Sequence, residues 1–363
     1  MNTEKHILQL DGLRFFAVLA VMIAHWLQWQ WSNIILAKAP FVHGVILFFV
    51  LSGFLITRIL LDNKEKYIAA GLKIRFLIRQ FYIRRFLRIF PIYYLLLFFL
   101  YFIDYKNTVD LFPWLITYTS NIYQSIYNTY VEDFNHFWSL AVEEQFYLFW
   151  PLVILMVKPA KSITVIMVTI ILSLLVRSYL YFEIGHWMAT SYFTLSCMHA
   201  LGIGALLAYL TMYKMNIVEK LSNPVWLYLS IGLYTIHFII KNKYELNAYS
   251  EIFDEFFFAM VSALIILRAL KNNFKGLLKY ILESKFVVYS GKISYGLYVY
   301  HMFMPTFFYY LAPKIGLSIN NKYTAFIAFY FLTFIVAHVS WMLIERPLNS
   351  LKSKVPYLSQ VNR

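Results

Sequence analysis

Long apolar segments follow one another along almost the whole of this chain. About ten of them reach or approach the ~20 residues that a helix needs to cross the hydrocarbon core of a bilayer. Hydrophobic residues make up 61% of the 363 residues and charged residues only 14%, whereas a soluble domain has roughly 25% charged residues. We therefore predict an all-α, polytopic membrane helix bundle of about ten transmembrane helices, with cores at 9–31, 41–61, 89–104, 144–158, 162–182, 193–213, 224–241, 252–270, 286–311 and 323–344.

The charged residues are distributed unevenly between the loops that join these segments. The loop 62–88 is strongly basic, whereas the next long loop, 105–143, is mainly acidic. Because basic loops stay on the cytoplasmic side, this asymmetry predicts that both termini lie in the cytoplasm. The same rule accounts for the net charge of +14 without any nucleic-acid partner. The basic residues of the first loop are Lys64, Lys66, Lys73, Arg75, Arg79, Arg84, Arg85 and Arg88.

The domain organisation predicted from the sequence is simple. We predict one integral-membrane domain over residues 1–350 and a short basic cytoplasmic tail at 351–363. Within the long acidic loop, the stretch 111–123 is predicted to be a short helix or a re-entrant segment. The single cysteine, Cys197, lies in an apolar run, which excludes an intramolecular disulfide and predicts a buried thiol.

Three ionisable residues lie within the first apolar segment, in LDGLRFFAVLAVMIAH. Such side chains inside a membrane span usually mark a functional site. Asp11 and Arg14 have the spacing to pair on one helix face, whereas His25 lies roughly 16 Å farther along the axis. An imidazole can accept a proton from a hydroxyl near neutral pH, so His25 is a candidate general base. The alternative is a histidine hydrogen-bonded to a neighbouring helix, or one at the outer interface beside Trp26 and Trp29.

Three arginines come directly before the third segment, in YIRRFLRIFPIYYL. Arg85 and Arg88 lie one turn apart on a helix, and guanidinium groups at this spacing suit phosphate, which they can bind bidentately. Positive residues that flank a membrane span can also serve topology alone. Topology accounts poorly for the use of Arg rather than Lys in this stretch, so Arg84, Arg85 and Arg88 indicate a phosphate-binding site.

A serine and two adjacent carboxylates precede the fourth segment, in FWSLAVEEQFYLFWP. Carboxylates at the end of a span are costly unless they are solvated or paired. Glu143 and Glu144 are therefore candidates for binding sugar hydroxyls or for orienting an imidazole. Alternatively, Ser139 is the N-cap of a helix and the two carboxylates face its positive end.

Further polar residues lie inside other apolar segments. Arg177 is in the fifth segment and His301 is in the ninth, and both are candidates for substrate binding. Ser52 and Gly53, in the second segment, predict close helix packing. The histidines without a shared spacing are interpreted as structural; they are His186, His199, His237 and His338.

Several of these segments together resemble the acyltransferase 3 family, whose members are multi-spanning bacterial membrane enzymes that acylate, and mostly acetylate, surface and secreted glycans. The resemblance extends over nearly the whole chain, and the motifs occur in the order found in the family. The matching motifs are LDGLRFFAVLAVMIAH at 10–25, FFVLSGFLIT at 48–57, RRFLRIFPIYYL at 84–95, FWSLAVEEQFYLFWP at 137–151, ISYGLYVYH at 293–301 and IERP at 344–347.

The resemblance implies a cytoplasmic acyl-CoA donor, usually acetyl-CoA. It assigns the family's essential membrane histidine to His25, its first-motif arginine to Arg14 and its Arg-x-x-Arg motif to Arg85 and Arg88. In many relatives an extracytoplasmic SGNH hydrolase-like domain follows the membrane part. This sequence, which ends at Arg363, does not include such a domain. We therefore expect it to resemble stand-alone members that modify lipopolysaccharide O-antigen, exopolysaccharide or similar glycans at the bacterial cytoplasmic (inner) membrane.

The predicted activity is transfer of an acyl group, most simply acetyl, from acyl-CoA to a hydroxyl of a glycan or lipid-linked glycan. The donor phosphates are expected near the arginine cluster, the thioester near His25, and the acceptor near 134–144. The main alternative is a transporter or flippase of a lipid-linked sugar, and another is a sensor whose arginines contact anionic lipid. No metal is predicted, and membrane lipid is the remaining partner. The candidate residues are His25, Arg14 and Asp11 for catalysis, Arg85, Arg88 and Arg84 for cofactor binding, and Ser139, Glu143, Glu144, Arg177 and His301 for substrate binding.

Overall fold

The computed structural model describes residues 7–28, 39–244, 247–317, 319 and 321–358, and its regular structure there is helical throughout. Parts of two predicted regions lie outside the described residues: the end of the first apolar segment, with Trp29, and the end of the tail, from residue 359 onward. Most of the loop after the first apolar segment also lies outside them.

The helices are numbered here in chain order. They are α1 Leu8–Trp26, α2 Gly44–Ala69, α3 Ile74–Phe102, α4 Thr108–Ile116, α5 Ser120–Tyr127, α6 Phe137–Met156, α7 Pro159–Ile184, α8 Trp187–Tyr192, α9 Thr194–Tyr213, α10 Met215–Leu221, α11 Pro224–Tyr244, α12 Asn247–Leu270, α13 Gly276–Leu282, α14 Lys285–Lys292, α15 Ser294–Tyr300, α16 Met304–Leu311, α17 Lys322–Ser340 and α18 Arg346–Ser350.

Eight helical stretches among the described residues are long and apolar enough to cross a membrane, judged by length and composition. This finding confirms the predicted class, an all-α polytopic membrane protein. The eight stretches are Leu8–Trp26, Pro40–Ala69, Ile74–Phe102, Glu132–Met156, Pro159–Ile184, Trp187–Tyr213, Pro224–Tyr244 and Lys322–Lys354.

Two of the predicted segments are absent from these eight stretches. The segment 252–270 lies in α12, which also carries Glu251, Asp254, Glu255 and Arg268 and is too highly charged to qualify. The segment 286–311 is divided between α14, α15 and α16. Pro305 lies in the first turn of α16, a position that tolerates its missing N–H better than the interior of a continuous helix does.

Two loop predictions are also resolved by the structure. The basic stretch predicted as a loop over 62–88 is largely helical, because α2 continues to Ala69 and α3 begins at Ile74. The arginine cluster therefore lies on α3 itself. The stretch 111–123, predicted as a short helix or a re-entrant segment, is divided between two short helices, α4 and α5.

The chain divides into two compact units. The first comprises Met1–Phe48 and Ile266–Ile344. Within it, α1 and α14 approach so closely that a Cβ built on Gly291 would lie 1.9 Å from the carbonyl oxygen of Asp11. Glycine therefore allows backbone-to-backbone contact between these two helices.

The second unit comprises Phe49–Ile265 and Glu345–Arg363. Here a Cβ on Gly53 would lie 1.9 Å from the carbonyl oxygen of Leu201, so α2 and α9 also pack backbone against backbone. The close packing predicted at Gly53 is confirmed. The only cysteine, Cys197, is buried and unbridged as predicted, and its thiol donates to the carbonyl oxygen of Ser191 over 3.0 Å.

Candidate active site

The acidic and basic residues at the start of α1 form an ion pair within the first unit. Arg14 Nη1 donates to Asp11 Oδ1 over 2.5 Å, and Asp11 is only 3% exposed. The pairing that the sequence predicted from their spacing is therefore confirmed. Asp11 neutralises much of the positive charge of Arg14 and holds its guanidinium on one face of the helix.

His25, near the end of α1, forms a hydrogen bond with a second histidine. Its Nδ1 lies 2.8 Å from Nε2 of His301, which immediately follows α15. The two rings are nearly parallel, at 14°, with centroids 5.0 Å apart. His301 is fully buried, and Trp26 packs near it with a centroid distance of 6.0 Å. The sequence proposed both histidines as site residues for different roles but did not predict that they meet.

Glu143 lies in a half-buried hydrogen-bond network of the second unit. Ser52 Oγ donates to Glu143 Oε1 over 2.6 Å, and the Tyr147 hydroxyl donates to Ser52 Oγ over 2.9 Å. Tyr147 follows Glu143 by one helical turn but is not among the site residues predicted from the sequence. Ser52 was predicted only as a packing residue.

Arg85 lies beside this network. Its guanidinium lies 4.6 Å from the centre of the Tyr147 ring and 5.7 Å from that of Phe81. Its positive charge acts on both Glu143 and Glu144. The sequence placed these carboxylates and the arginine cluster at opposite ends of the membrane domain. That separation is wrong, because α3 and α6 run alongside each other and bring the charges together.

Arg84 points to a different environment from that of Arg85. Its Nη1 donates to the carbonyl oxygens of Lys352 and Val355, each over 2.9 Å, and its guanidinium lies 4.5 Å from the ring centre of Tyr357. Arg84 therefore anchors the start of the C-terminal tail. Burial raises the pKa of the Tyr357 phenol, although the charges of Arg85 and Arg84 oppose this, so Tyr357 stays neutral at physiological pH.

Arg88 lies among both positive and negative groups. Its charge acts on Glu143, Glu345 and Lys352. Lys352, which the sequence assigned only to the basic tail, lies close to these arginines. The guanidinium groups of Arg85 and Arg88 give the second unit a concentration of positive charge on α3.

Ser139 does not cap α6. The helix begins at Phe137, and the side chain of its N-cap residue, His136, makes no capping hydrogen bond. Ser139 is buried and donates to the carbonyl oxygen of His136 over 3.1 Å. The N-cap interpretation is wrong because the two aromatic residues before Ser139 are already helical. A role for Ser139 in substrate binding stays a prediction.

Arg177 is held in a buried ion pair of the second unit. Its Nη1 lies 2.7 Å from Glu255 Oε2, its Nη2 donates to Ser191 Oγ over 3.3 Å, and the residue is 1% exposed. Removing one partner of such a pair is strongly destabilising because the other charge remains buried. These contacts supply a structural reason for Arg177, while its role in substrate binding stays a prediction.

The histidines interpreted as structural have hydrogen-bond partners of their own. His186 Nδ1 accepts from the backbone N–H of Ala189 at the start of α8, and His199 Nδ1 lies 2.9 Å from the carbonyl oxygen of Ser196. His237 Nε2 lies 2.9 Å from Asp254 Oδ1. His338 Nδ1 lies 2.6 Å from the hydroxyl oxygen of Tyr289.

A multi-pass helical protein with ionisable groups inside its membrane-spanning helices belongs to the class of membrane enzymes and transporters. Comparison with protein families shows to which of these two classes the chain belongs. The family model described as an acyltransferase domain, acyltransferase 3, matches residues 7–345. The chain therefore belongs to the acyltransferase 3 family, which confirms the resemblance seen in the sequence.

Curated relatives match almost the whole chain. The peptidoglycan O-acetyltransferase OatA of Listeria monocytogenes is 29% identical over 95% of this chain and 56% of its own length. The O-acetyltransferase OatA of Staphylococcus aureus is 29% identical over 96% of this chain and 58% of its own length. The putative peptidoglycan O-acetyltransferase YrhL of Bacillus subtilis is 29% identical over 96% of this chain and 55% of its own length. The chain thus spans a little over half the length of these relatives, and no solved structure matches it.

Proposed function

We propose that the protein transfers an acetyl group from acetyl-CoA to a hydroxyl of a cell-surface or exported glycan. The observation that carries this proposal is the paired histidine, His25, inside a membrane-spanning helix of an acyltransferase-family chain. An imidazole is the side chain best suited to take a hydroxyl proton near neutral pH.

The proposed reaction balances with His25 as general base. His25 accepts the proton of the acceptor hydroxyl as its oxygen attacks the thioester carbonyl. The new C–O ester bond forms, the C–S bond breaks, and the sulfur of CoA leaves with the proton that His25 returns. The products are an O-acetylated glycan and free CoA. Arg14, held in place by Asp11, supplies positive charge that orders the donor.

The nucleotide of the donor is proposed to bind to arginines of α3. Acetyl-CoA carries several phosphate charges, and guanidinium groups bind phosphate through paired, charge-assisted hydrogen bonds. Arg85 and Arg88 are the proposed phosphate ligands. Arg84 supports them indirectly, because its Nη1 is engaged by carbonyl oxygens of the tail.

The acceptor is proposed from the family and from the printed names of the relatives. Two of those names specify peptidoglycan, so peptidoglycan is the first acceptor to test, with lipopolysaccharide O-antigen and exopolysaccharide as the other glycans. Glu143 and Glu144, which lie close to Arg85, are proposed to position it beside the donor phosphates, and their role in acceptor binding stays a prediction. We also propose that the protein lies in the bacterial cytoplasmic membrane with both termini in the cytoplasm.

The decisive experiment measures transfer from acetyl-CoA carrying a radiolabelled acetyl group. Membranes containing the wild-type chain, His25→Ala or the control His338→Ala are incubated with the donor and each candidate glycan. We expect alkali-labile label on one glycan with wild type and His338→Ala, and at least a 100-fold lower rate with His25→Ala. Transfer by His25→Ala at the wild-type rate would refute the role of His25. A transporter or flippase would transfer no label to any glycan.

A further inference from the structure

The hydrogen atoms of the His25–His301 pair can be assigned from their partners. His301 Nδ1 lies 2.6 Å from the carbonyl oxygen of Tyr298. A carbonyl oxygen only accepts hydrogen bonds, so the proton of this bond belongs to His301 Nδ1. In neutral imidazole the other nitrogen then carries a lone pair. His301 Nε2 is therefore an acceptor, and it faces Nδ1 of His25.

The assignment extends to His25. Because His301 Nε2 accepts, the proton between the two rings belongs to His25 Nδ1, and Nε2 of His25 carries the lone pair. We infer that His301 is a positioning residue, which holds His25 in the tautomer whose Nε2 can accept the proton of the acceptor hydroxyl. This inference rests on the proposed function of His25 as general base.

The same pair can stabilise the charge that forms during the reaction. When His25 accepts a proton at Nε2, its Nδ1–H bond to His301 becomes a charge-assisted hydrogen bond, which is shorter and stronger than a neutral one. Neutral His301 can also accept that Nδ1 proton, which leaves His25 neutral and places the positive charge on His301. His301 thus orients the His25 ring in the way that a carboxylate orients the catalytic histidine in many hydrolases.

The position of His301 has a local physical cause. The last carbonyl groups of a helix have no partner within the helix, and α15 ends at Tyr300. The His301 ring folds back and satisfies the Tyr298 carbonyl, as basic side chains at helix C-termini commonly do. Such a cap explains why the ring is there, but it does not require that Nε2 point at His25.

The test separates a positioning role from a purely structural one. Full-length protein in lipid nanodiscs, labelled with ¹⁵N on its histidine rings, reports the tautomer of each ring. The His25 signals are identified by their loss in a His25→Gln variant. We expect wild-type His25 to carry its proton on Nδ1, and His301→Leu to shift the proton population toward Nε2. Wild-type His25 protonated on Nε2 would overturn the inference.

Kinetics supply the second measurement. His301→Leu removes the acceptor, whereas His301→Gln keeps an oxygen acceptor at about the same reach. We expect His301→Leu to lower kcat by about 100-fold with KM for acetyl-CoA within about twofold, and His301→Gln to recover at least tenfold of the loss. His338→Leu, which also removes a hydrogen-bonded histidine from the first unit, should stay near wild type. Equal losses in His301→Leu and His338→Leu would overturn the inference.

The two proposals fail in different ways. If wild-type protein transfers no acetyl group to any glycan, the proposed function is wrong, whereas the ring tautomers are measured without turnover. If transfer occurs but His25 carries its proton on Nε2, only the role of His301 is wrong.

Discussion

The guanidinium of Arg85 lies 4.6 Å from the centre of the Tyr147 ring. Tyr147 itself lies on α6, one helical turn after Glu143. This cation–π contact holds the guanidinium over the face of the Tyr147 ring, with Glu143 and Glu144 close enough to feel its charge. A planar cation held in this way is ready to present its N–H groups to an anion. The arrangement links the arginine motif to the acidic residues of α6, which sequence reasoning had assigned to different substrates.

Replacing Arg85 with lysine should weaken donor binding. Lysine keeps the charge but loses both the planar fork and the stacking on Tyr147. We expect Arg85→Lys to raise KM for acetyl-CoA by about tenfold, with a smaller change in kcat. Arg79→Lys makes the same chemical change at an exposed position of the same helix and should leave KM unchanged. An unchanged KM in Arg85→Lys would contradict the assignment of Arg85 to phosphate binding.

Removing the Glu143 carboxylate should destabilise the second unit. Glu143→Ala leaves the half-buried Ser52 hydroxyl without this acceptor, so we expect a cost of about 1 kcal/mol, at the lower end of the range for buried groups. Glu143→Gln retains an accepting oxygen and should lose less stability. Glu219→Ala, on the exposed surface of α10, is the matched control. Denaturant unfolding in detergent measures the free energy of unfolding, and equal values for Glu143→Ala and Glu219→Ala would disprove the network's contribution.

Glycine is required where α1 and α14 meet. A Cβ on Gly291 would lie 1.9 Å from a backbone oxygen, so the two helices must separate to accept alanine. We expect Gly291→Ala to lower the free energy of unfolding by about 1–3 kcal/mol. At Gly232 no heavy atom lies within 4 Å of the added Cβ, so Gly232→Ala should be neutral or slightly stabilising, because alanine favours helix. The thermal unfolding midpoints of the two variants in detergent check this difference.

Arg84 should protect the tail from proteolysis. Its bonds to the carbonyl oxygens of Lys352 and Val355 hold that segment against α3. We expect Arg84→Ala to increase the rate of tryptic cleavage after Lys352 and Lys354 by about tenfold or more, since a protease cuts segments that open locally. Mass spectrometry of the released tail peptides measures the rate. Arg79→Ala is the control, and equal cleavage of the two variants would show that Arg84 does not anchor the tail.

Local features of the site could be read from the sequence because they depend on neighbouring residues in one helix. Asp11 and Arg14 pair because they lie three positions apart on α1. Gly53 marked close packing because a residue without a side chain lets two helices approach. The N-cap at Ser139 was predicted wrongly, since a capping motif also depends on where the preceding residues stop being helical, and here helix α6 begins two residues before it.

Two of the ten apolar segments predicted from hydropathy, 252–270 and 286–311, do not form a single long helix with few charges among the described residues. Apolar length is a property of a sequence window, but α12 carries its charges within the helix and the predicted ninth segment is broken by turns. Neither feature is visible in an average over the window.

The sequence by itself determined that this chain forms membrane-spanning helices and belongs to its family. Helix length, hydrophobicity and motif order are all properties of the order of residues along the chain. Only the tertiary structure decided which side chains meet. His25 finds its partner 276 positions away, and Arg84 finds carbonyl oxygens 268 and 271 positions away. Partners this distant in sequence are chosen by how helices pack, and packing depends on the shapes of whole helix faces rather than on any local pattern.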